Sequence, residues 1–427
     1  MRSVICKILI FFVGILNSVG IPLYPAEKDV CNMVSSNSFN IIQNGKEYDY
    51  YFDECEINTA EIAFKDENEN TVEIYSGNKL IYRRTGTEVY RFCAFETVKT
   101  GSLKIRFEKE AAVKDIKLSC RKSNNKDFRI TAYAVANSVN GEIDPAYFDV
   151  VTDVILIGAV TFNEKGELNA DKAVLENALS RLRSAIGDRD VKIYMNVLGP
   201  GSAGGETWDD QMHSLADRHT AAFKNNGLVT AMVGLCDEYG FDGIFFDYEY
   251  PLRSSDYRQF GKFLKKLDKA TDKKLGAAIS AWNIPSICEE VRNLDMLELM
   301  MYDSFDSAGH HSSFTTAVDG FTAIRNDFID TERVDLGVPF YGRPADRGGY
   351  WPSYRQYADV LNGIDSADTE QGKAYFNCVQ TIYDKTAYAL SRGLGGMMVW
   401  HFTCDADMNS PASLFAAMGR CVRDRTE

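Results

Sequence analysis

Two acidic residues near the end of an apolar run are the strongest candidates for chemistry in this sequence. Residues 241–251 read FDGIFFDYEYP, and as a β-strand they would alternate between two faces. Asp247 and Glu249 would then share one face, about 7 Å apart along the chain. Because burying an unpaired charge is costly, both carboxylates must reach water, a partner or a substrate. Carboxyl groups in such positions can donate and accept protons in catalysis.

The region after residue 126 alternates strands with helices and would place these acids at the end of its fourth strand. Strands are predicted at residues 130–135, 151–162, 191–198, 241–251, 275–280, 296–301, 334–340 and 396–400. Helices are predicted at residues 172–186, 216–239 with a break near 226, 257–267, 316–328, 380–391 and 413–420. This alternation predicts an α/β fold, a (β/α)8 TIM barrel over residues 127–427. A doubly wound sheet is the alternative, but the glycines at 199–205 lack the spacing of a dinucleotide or phosphate loop.

The preceding region, residues 21–126, lacks long helical periodicity and reads as short strands separated by polar turns. Strands are predicted at residues 56–64, 71–75, 79–83, 89–95, 102–107 and 113–118. We expect a small all-β, sandwich-like domain here, joined to the barrel by a polar linker at residues 122–127. Carbohydrate binding and simple packing against the barrel are both open roles for it.

The first twenty residues have the pattern of a signal peptide. Arg2 and Lys7 precede an apolar run at residues 8–16, and the small residues Ser18 and Gly20 offer a cleavage site. The apolar run is short for a membrane span, although an uncleaved anchor is the alternative. The sequence therefore predicts a secreted, extracellular protein without stable membrane association after cleavage.

Cysteine content and charge narrow the class of protein further. The chain has ten cysteines; Cys6 would leave with the signal peptide, and four of the other nine precede the barrel, so disulfide bonds are plausible in a secreted chain. Those four are Cys31, Cys55, Cys93 and Cys120. The formal net charge of −14 argues against nucleic acid as a partner. The five histidines show no zinc-type spacing, so neither a metal nor a cofactor is expected.

Four motifs, each closing a predicted barrel strand, resemble those of glycoside hydrolase family 18, the chitinase family. Asp242, Asp247 and Glu249 match the family's Asp-x-x-Asp-x-Asp-x-Glu signature, while Phe245 stands where its second Asp belongs. The other three motifs are MMYD at 300–303, GVPFYGR at 337–343 and GLGGMMVW at 393–400. The third strand departs from the family pattern, with NVLGPG at 196–201. Phe245 removes a like charge beside Asp247 but also desolvates it, and these effects shift the Asp247 pKa in opposite directions.

The resemblance implies a role for each matched residue. Glu249 would be the general acid and then the base, Asp247 would orient the substrate's acetamide group, and Tyr302 would hydrogen-bond it. The remaining polar positions implied for substrate binding are Asp303, Tyr341, Arg343 and, with a structural role as the alternative, Asp242.

The four tryptophans of the chain all follow predicted barrel strands at the catalytic end. They are Trp208, Trp282, Trp351 and Trp400. Flat aromatic rings match the apolar faces of sugar rings, so these side chains are candidate sugar contacts, with core packing as the alternative for some of them. The resemblance places Trp400 at the floor of the pocket.

Taken together, these features predict a secreted chitinase-type glycoside hydrolase. It would cleave β-1,4-linked N-acetylglucosamine polymers by a retaining, substrate-assisted mechanism. Two alternatives remain open: an endo-β-N-acetylglucosaminidase on glycans or peptidoglycan, and an inactive chitin-binding lectin. The stretch at 344–392 is short for the insertion that walls a deep cleft in many chitinases, so a shallow groove with cleavage inside chains is expected.

Overall fold

The computed structural model describes residues 29–33, 40–43, 46–249, 253–346 and 348–426, with side chains described from residue 46 onward. The expected signal peptide and the Tyr250-Pro251 pair lie outside the described residues.

Seven antiparallel strands form the N-terminal sheet. They are β1 Asp29–Met33, β2 Asn40–Gln43, β3 Glu47–Phe64, β4 Asn70–Ser76, β5 Lys79–Gly86, β6 Tyr90–Phe107 and β7 Val113–Ser123. The strand order is β1-β7-β3-β6-β4-β5, and β2 pairs with β3. The first part of the long strand β3 pairs with β2 and its second part with β7, while the second part of the long strand β6 pairs with β4. One apolar cluster, which includes Tyr50 and Leu118, contains residues from both parts of these two strands. The all-β, sandwich-like expectation is thereby confirmed.

One predicted break inside this sheet is wrong. The prediction has two strands, at 89–95 and 102–107, whereas β6 runs without a break from Tyr90 to Phe107, through Thr100 and Gly101. The hydroxyl of Thr100 donates to the Ser102 carbonyl at 2.9 Å, and a Cβ on Gly101 would lie 3.2 Å from the Phe52 carbonyl oxygen. The pairing of β3 with β6 shifts register in this region. Gly101 therefore allows the two strands to approach each other closely at a bulge, and it does not form a turn.

Eight parallel strands close the barrel. The strands from here to the end of the chain are β8 Arg129–Val135, β9 Asp153–Phe162, β10 Leu168–Ala170, β11 Lys192–Leu198, β12 Gly243–Asp247, β13 Lys274–Ser280, β14 Met296–Met300, β15 Val334–Pro339, β16 Arg343–Pro344, β17 Ser366–Thr369, β18 Gly372–Tyr375 and β19 Gly396–Trp400. The barrel order is β9-β11-β12-β13-β14-β15-β19-β8, and β8 pairs back with β9. The short β10 pairs antiparallel with β9, and β16–β18 form a small separate sheet. The predicted (β/α)8 barrel is confirmed.

Helices fill the connections between barrel strands. They are Lys172–Ile186, Trp208–Ala222, Asn226–Glu238, Ser254–Asp268, Glu289–Arg292, Phe314–Asn326, Val379–Ser391 and Leu414–Thr426. The break predicted near 226 in the helical stretch 216–239 is present, because the side chain of Asn225 accepts from the Gly227 backbone and starts a second helix there. Among the described helices, none has the length and apolar character needed to cross a membrane.

The N-terminal sheet is packed directly against the barrel. The first two residues of the expected linker, Lys122 and Ser123, still belong to β7. Asn125 is buried and donates to the Leu394 carbonyl. Ser123 and Asn125 therefore anchor this stretch to the packed structure, while Asn124, Lys126 and Asp127 are exposed.

The eight cysteines whose side chains are described are free thiols. They are Cys55, Cys93, Cys120, Cys236, Cys288, Cys378, Cys404 and Cys421. Six of these eight are buried, where cysteine behaves as a small apolar side chain. The disulfide bonds considered plausible from the sequence are thus not formed among these residues.

Candidate active site

A pocket of about 330 Å³ opens at the carboxyl end of the barrel strands. This is the end at which barrels of this type place their chemistry. The pocket is lined by Tyr133, Asp247, Glu249, Ala278, Met300, Tyr302, Asp303, Tyr341, Arg343, Trp351 and Trp400. Eight of these eleven residues are candidates identified from the sequence, and they come from strands or strand ends that are far apart in the chain.

The two central acids follow the alternation expected of β12. Asp247 is the last residue of the strand, and Glu249 lies two positions further on. Tyr248, between them, points away from the pocket and is buried against Phe260, with the two ring centroids 4.5 Å apart. The side-chain amide of Asn283 donates to the Glu249 carbonyl at 2.7 Å. Packing on one face and this hydrogen bond on the chain therefore direct both carboxyl groups into the pocket.

Phe245 lies two residues before Asp247 on the same face of β12. Its ring is fully buried inside the barrel, with its centroid 4.7 Å from that of Tyr194. Burial raises the pKa of Asp247 to about 6. The cause of this shift is desolvation, which favours the protonated carboxyl group.

The Phe245 ring occupies space left by a glycine on the neighbouring strand. A Cβ added to Gly276 would lie 2.3 Å from Cε1 of Phe245. We expect Gly276→Ala to lower the free energy of unfolding by about 1–3 kcal/mol, because the ring must move in a packed interior. Urea unfolding measures this change.

Gly234→Ala is the matched control. Gly234 lies in the helix Asn226–Glu238, and its added Cβ would meet no atom within 4 Å. Alanine should stabilise this helix by about 0.5–1 kcal/mol. Wild-type stability of Gly276→Ala would show that the ring is not fixed in place.

Tyr302 and Asp303 follow β14 and belong to a second polar group of the pocket. Nη1 of Arg343 donates to Asp303 Oδ1 at 2.6 Å, and the backbone amide of Asp303 donates to Nε2 of His311 at 2.9 Å. Burial raises the pKa of Tyr302 well above its ordinary value, as it does for Tyr341. Both phenols therefore keep their protons at physiological pH and can act as hydrogen-bond donors.

The four tryptophans separate into two groups. Trp400 and Trp351 line the pocket; the Trp400 ring packs on Tyr133 with centroids 5.4 Å apart, and Trp351 packs on Tyr341 at 5.5 Å. Trp208 and Trp282 are outside the pocket lining. They contact each other at 5.8 Å and are 55% and 51% exposed.

Asp242 is not brought to the pocket. It precedes β12, at the opposite end of the barrel, and its Oδ2 accepts from the backbone amide of Ile193 at 2.8 Å. Five residues of extended chain separate it from Asp247, which is about 17 Å. The structure thus gives Asp242 the structural role that was the alternative for it, instead of the substrate contact.

Sequence reasoning missed four residues of the site. Tyr133, Ala278 and Met300 line the pocket, and His311 binds the Asp303 backbone. Tyr133 could have been found, because its hydroxyl lies near the carboxyl end of β8, between Ala132 and Ala134. His311 could not, since its position depends on how the loop after β14 folds back.

Comparisons with known proteins agree with this fold. The sequence model of glycosyl hydrolases family 18 matches residues 124–405. Endochitinase 1 of Metarhizium robertsii is 26% identical over 269 residues, covering 50% of this chain and 62% of that protein. The chain thus matches less than two thirds of this relative's length.

Solved structures share the fold at low sequence identity. The GH18 chitinase ChiB of Flavobacterium johnsoniae aligns with a TM-score of 0.54 at 22% identity, covering 70% of this chain and 94% of that one. A mutant catalytic domain 2 of Ostrinia furnacalis Group II chitinase, in complex with (NAG)5, aligns with a TM-score of 0.55 at 19% identity, covering 70% and 97%. Because the family match spans most of the chain, the protein belongs to glycosyl hydrolases family 18.

Proposed function

We propose that the protein is a secreted glycoside hydrolase that cleaves β-1,4-linked N-acetylglucosamine polymers by a retaining, substrate-assisted mechanism. The observation that supports this most is the convergence of Asp247, Glu249 and Tyr302 on one pocket that also contains Trp400. Chitin or chito-oligosaccharides are the proposed substrates.

Each group has a defined step in this mechanism. Glu249 donates its proton to the glycosidic oxygen as the bond to C1 breaks, while the carbonyl oxygen of the substrate's own acetamide group bonds to C1. Asp247, as a carboxylate, stabilises the positive oxazolinium that forms. Tyr302 donates a hydrogen bond to the acetamide oxygen and fixes its direction of attack. The Glu249 carboxylate then takes a proton from water, which opens the ring with net retention at C1.

Aromatic and ionic groups would hold the sugar chain. The Trp400 face supplies an apolar floor for the sugar at the cleaved bond. Trp351, 48% exposed, extends the aromatic surface at the pocket entrance, and the Arg343–Asp303 ion pair supplies polar contacts at its wall. Trp208 and Trp282 are candidates for sugar contact beyond the pocket, on the exposed rim.

The Asp247 pKa gives a prediction for pH dependence. Only ionised Asp247 stabilises the oxazolinium, and its raised pKa of about 6 means that the ionised fraction falls tenfold per pH unit below that value. We expect kcat/KM on chito-oligosaccharides to rise with pH up to about 6 and to lose roughly tenfold per unit below it. A profile from pH 3 to 8 measures this; activity that stays flat down to pH 4 would contradict it.

Two other functions are compatible with the same pocket. An endo-β-N-acetylglucosaminidase on glycans or peptidoglycan would use the same acetamide chemistry, and rates on chitin oligomers against an N-glycan core distinguish it. A non-hydrolysing chitin-binding lectin is the second, and Phe245 is the observation that favours it, because it replaces an acid beside Asp247 in the family signature. Binding of oligomers without release of new reducing ends would support the lectin.

Secretion rests on the leader-like pattern of residues 1–20 alone, since the described cysteines form no disulfide bonds. Expression of the full chain in a secreting cell tests it. N-terminal sequencing of protein from the medium should find a start close to residue 21. Retention of the intact leader in a membrane fraction would show an uncleaved anchor.

A further inference from the structure

The loop that carries Tyr302 and Asp303 adopts an unfavourable backbone conformation. It joins β14 to the helix Phe314–Asn326, and both Asp303 and Ser312 have positive φ, 52° and 46°. Non-glycine residues in this region cost on the order of 1–3 kcal/mol each. Contacts from the surrounding structure must therefore hold the loop in this shape.

Lys385 provides the strongest of these contacts. Its Nζ is fully buried and donates to the Ser312 carbonyl at 2.6 Å, to the Ser312 hydroxyl at 3.1 Å and to Asn377 Oδ1 at 2.7 Å. The Ser312 hydroxyl in turn donates to the Met301 carbonyl at 2.7 Å, next to Tyr302. The Ser312 hydroxyl therefore joins the two ends of the loop, and the buried amine of Lys385 holds Ser312 in place.

The helix that carries Lys385 is enclosed between the barrel and the N-terminal sheet. Every residue from position 381 to 391 of this helix is buried. Asp384, adjacent to Lys385, faces the sheet: it accepts from Tyr82 Oη at 2.9 Å, from the Ala94 amide at 2.9 Å and from Arg84 Nε at 3.1 Å. Neighbouring residues on a helix point about 100° apart, so Asp384 fixes the helix to the sheet while Lys385 fixes the loop to the helix.

The sheet also contacts the loop region directly. The Ser307 hydroxyl at the loop tip donates to Glu67 at 3.0 Å. The Arg84 guanidinium lies over the ring of Phe314, the first residue of the following helix, at 5.8 Å from its centroid. The N-terminal domain thus contacts the loop at Ser307, the following helix at Phe314, and the helix that carries Lys385 at Asp384.

We propose that Lys385 is a positioning residue for the pocket, and that the N-terminal sheet keeps Lys385 in place by fixing the position of the helix Val379–Ser391. The sheet is then part of the catalytic unit and not a separable sugar-binding module. This inference rests on the proposed function for its effect on catalysis, but its effect on the loop can be measured without any activity.

Lys385→Met tests the proposal, since methionine keeps an unbranched side chain and removes all three donated hydrogen bonds. Thr386→Val is the matched control: Thr386 is equally buried on the same helix, and its hydroxyl bonds only to the Ile382 carbonyl within that helix. Hydrogen exchange of residues 302–313 should accelerate at least about tenfold in Lys385→Met and stay unchanged in Thr386→Val. Equal exchange in both variants would overturn the proposal.

Kinetics on chito-oligosaccharides, well below the melting temperature, give the second readout. We expect Lys385→Met to lower kcat/KM about 100-fold, with Thr386→Val close to wild type, because misplacing a catalytic group by about 1 Å costs that much. Ser312→Ala, which keeps the Lys385 bond to the carbonyl but breaks the bond to Met301, should fall between them. If the wild type hydrolyses no 2-acetamido sugar, the proposed function fails, and hydrogen exchange alone then decides the positioning role. Faster exchange with unchanged kcat/KM would reduce the role of Lys385 to stability and contradict the proposal.

Discussion

Glu249→Gln is expected to lower the rate of chito-oligosaccharide hydrolysis about 10²–10⁴-fold while leaving oligosaccharide binding nearly unchanged. Glutamine has the shape of the protonated acid but cannot give up a proton to the leaving oxygen. The pocket walls formed by Trp400, Tyr302 and Arg343 are untouched by this change. Reducing-end assays measure the rate, and tryptophan fluorescence titration measures binding.

Glu238→Gln is the control for loss of a carboxylate as such. Glu238 is an exposed residue whose side chain pairs with Lys172 at 3.0 Å, remote from the pocket. The Glu238→Gln variant should hydrolyse chito-oligosaccharides at the wild-type rate. Full activity of Glu249→Gln would show that another residue is the general acid. Binding of oligosaccharide without hydrolysis, by both the wild type and Glu249→Gln, would support the lectin alternative.

Arg84→Met is expected to lower the free energy of unfolding by about 3–5 kcal/mol, because it leaves buried acids without their cation. Arg84 is fully buried and forms ion pairs with Glu88 at 2.9 Å and with Asp384 at 3.1 Å. Burial alone would raise the pKa of Glu88, but Arg84 and Arg91 lower it to about 2. Glu88 is therefore ionised in the folded protein and depends on these cations. Urea denaturation at pH 7 measures the loss.

The adjacent residue provides a direct comparison. Arg83 is 49% exposed and pairs with Glu73 at 3.4 Å on the outer face of the same strand. Arg83→Met should change stability by no more than about 1 kcal/mol, as is usual for surface pairs. Similar losses for the two variants would mean that the buried ion network does not join the sheet to the barrel.

The barrel could be predicted from the sequence because most residues of its strands are apolar and buried, in short runs that alternate with helices. The bounds of the predicted strand at 130–135 and of the helix at 172–186 agree with the structure to within one residue. The acids of the site could also be predicted from the sequence, because period-2 alternation alone places Asp247 and Glu249 on one face of their strand.

Other features depend on tertiary contacts that local patterns do not encode. The strand β6 continues through Thr100-Gly101 because β3 bulges opposite it, which cannot be seen in either strand alone. Asp242 belongs to the same motif as Asp247, but its place in the motif does not show that it bonds to a neighbouring strand instead of a substrate. The sequence places Lys385 within a predicted helix, but its contact with Ser312 depends on how that helix packs against the loop.

The central claim is that this pocket hydrolyses 2-acetamido sugar polymers with the substrate's own acetamide as nucleophile. Proton NMR of the wild-type protein with chitohexaose, recorded within minutes of mixing, tests it most directly. The mechanism predicts that new reducing ends appear first as the β-anomer and that the α-anomer grows in later by mutarotation. New ends that appear first as the α-anomer, or no new ends at all from a protein that binds the hexamer, would contradict it.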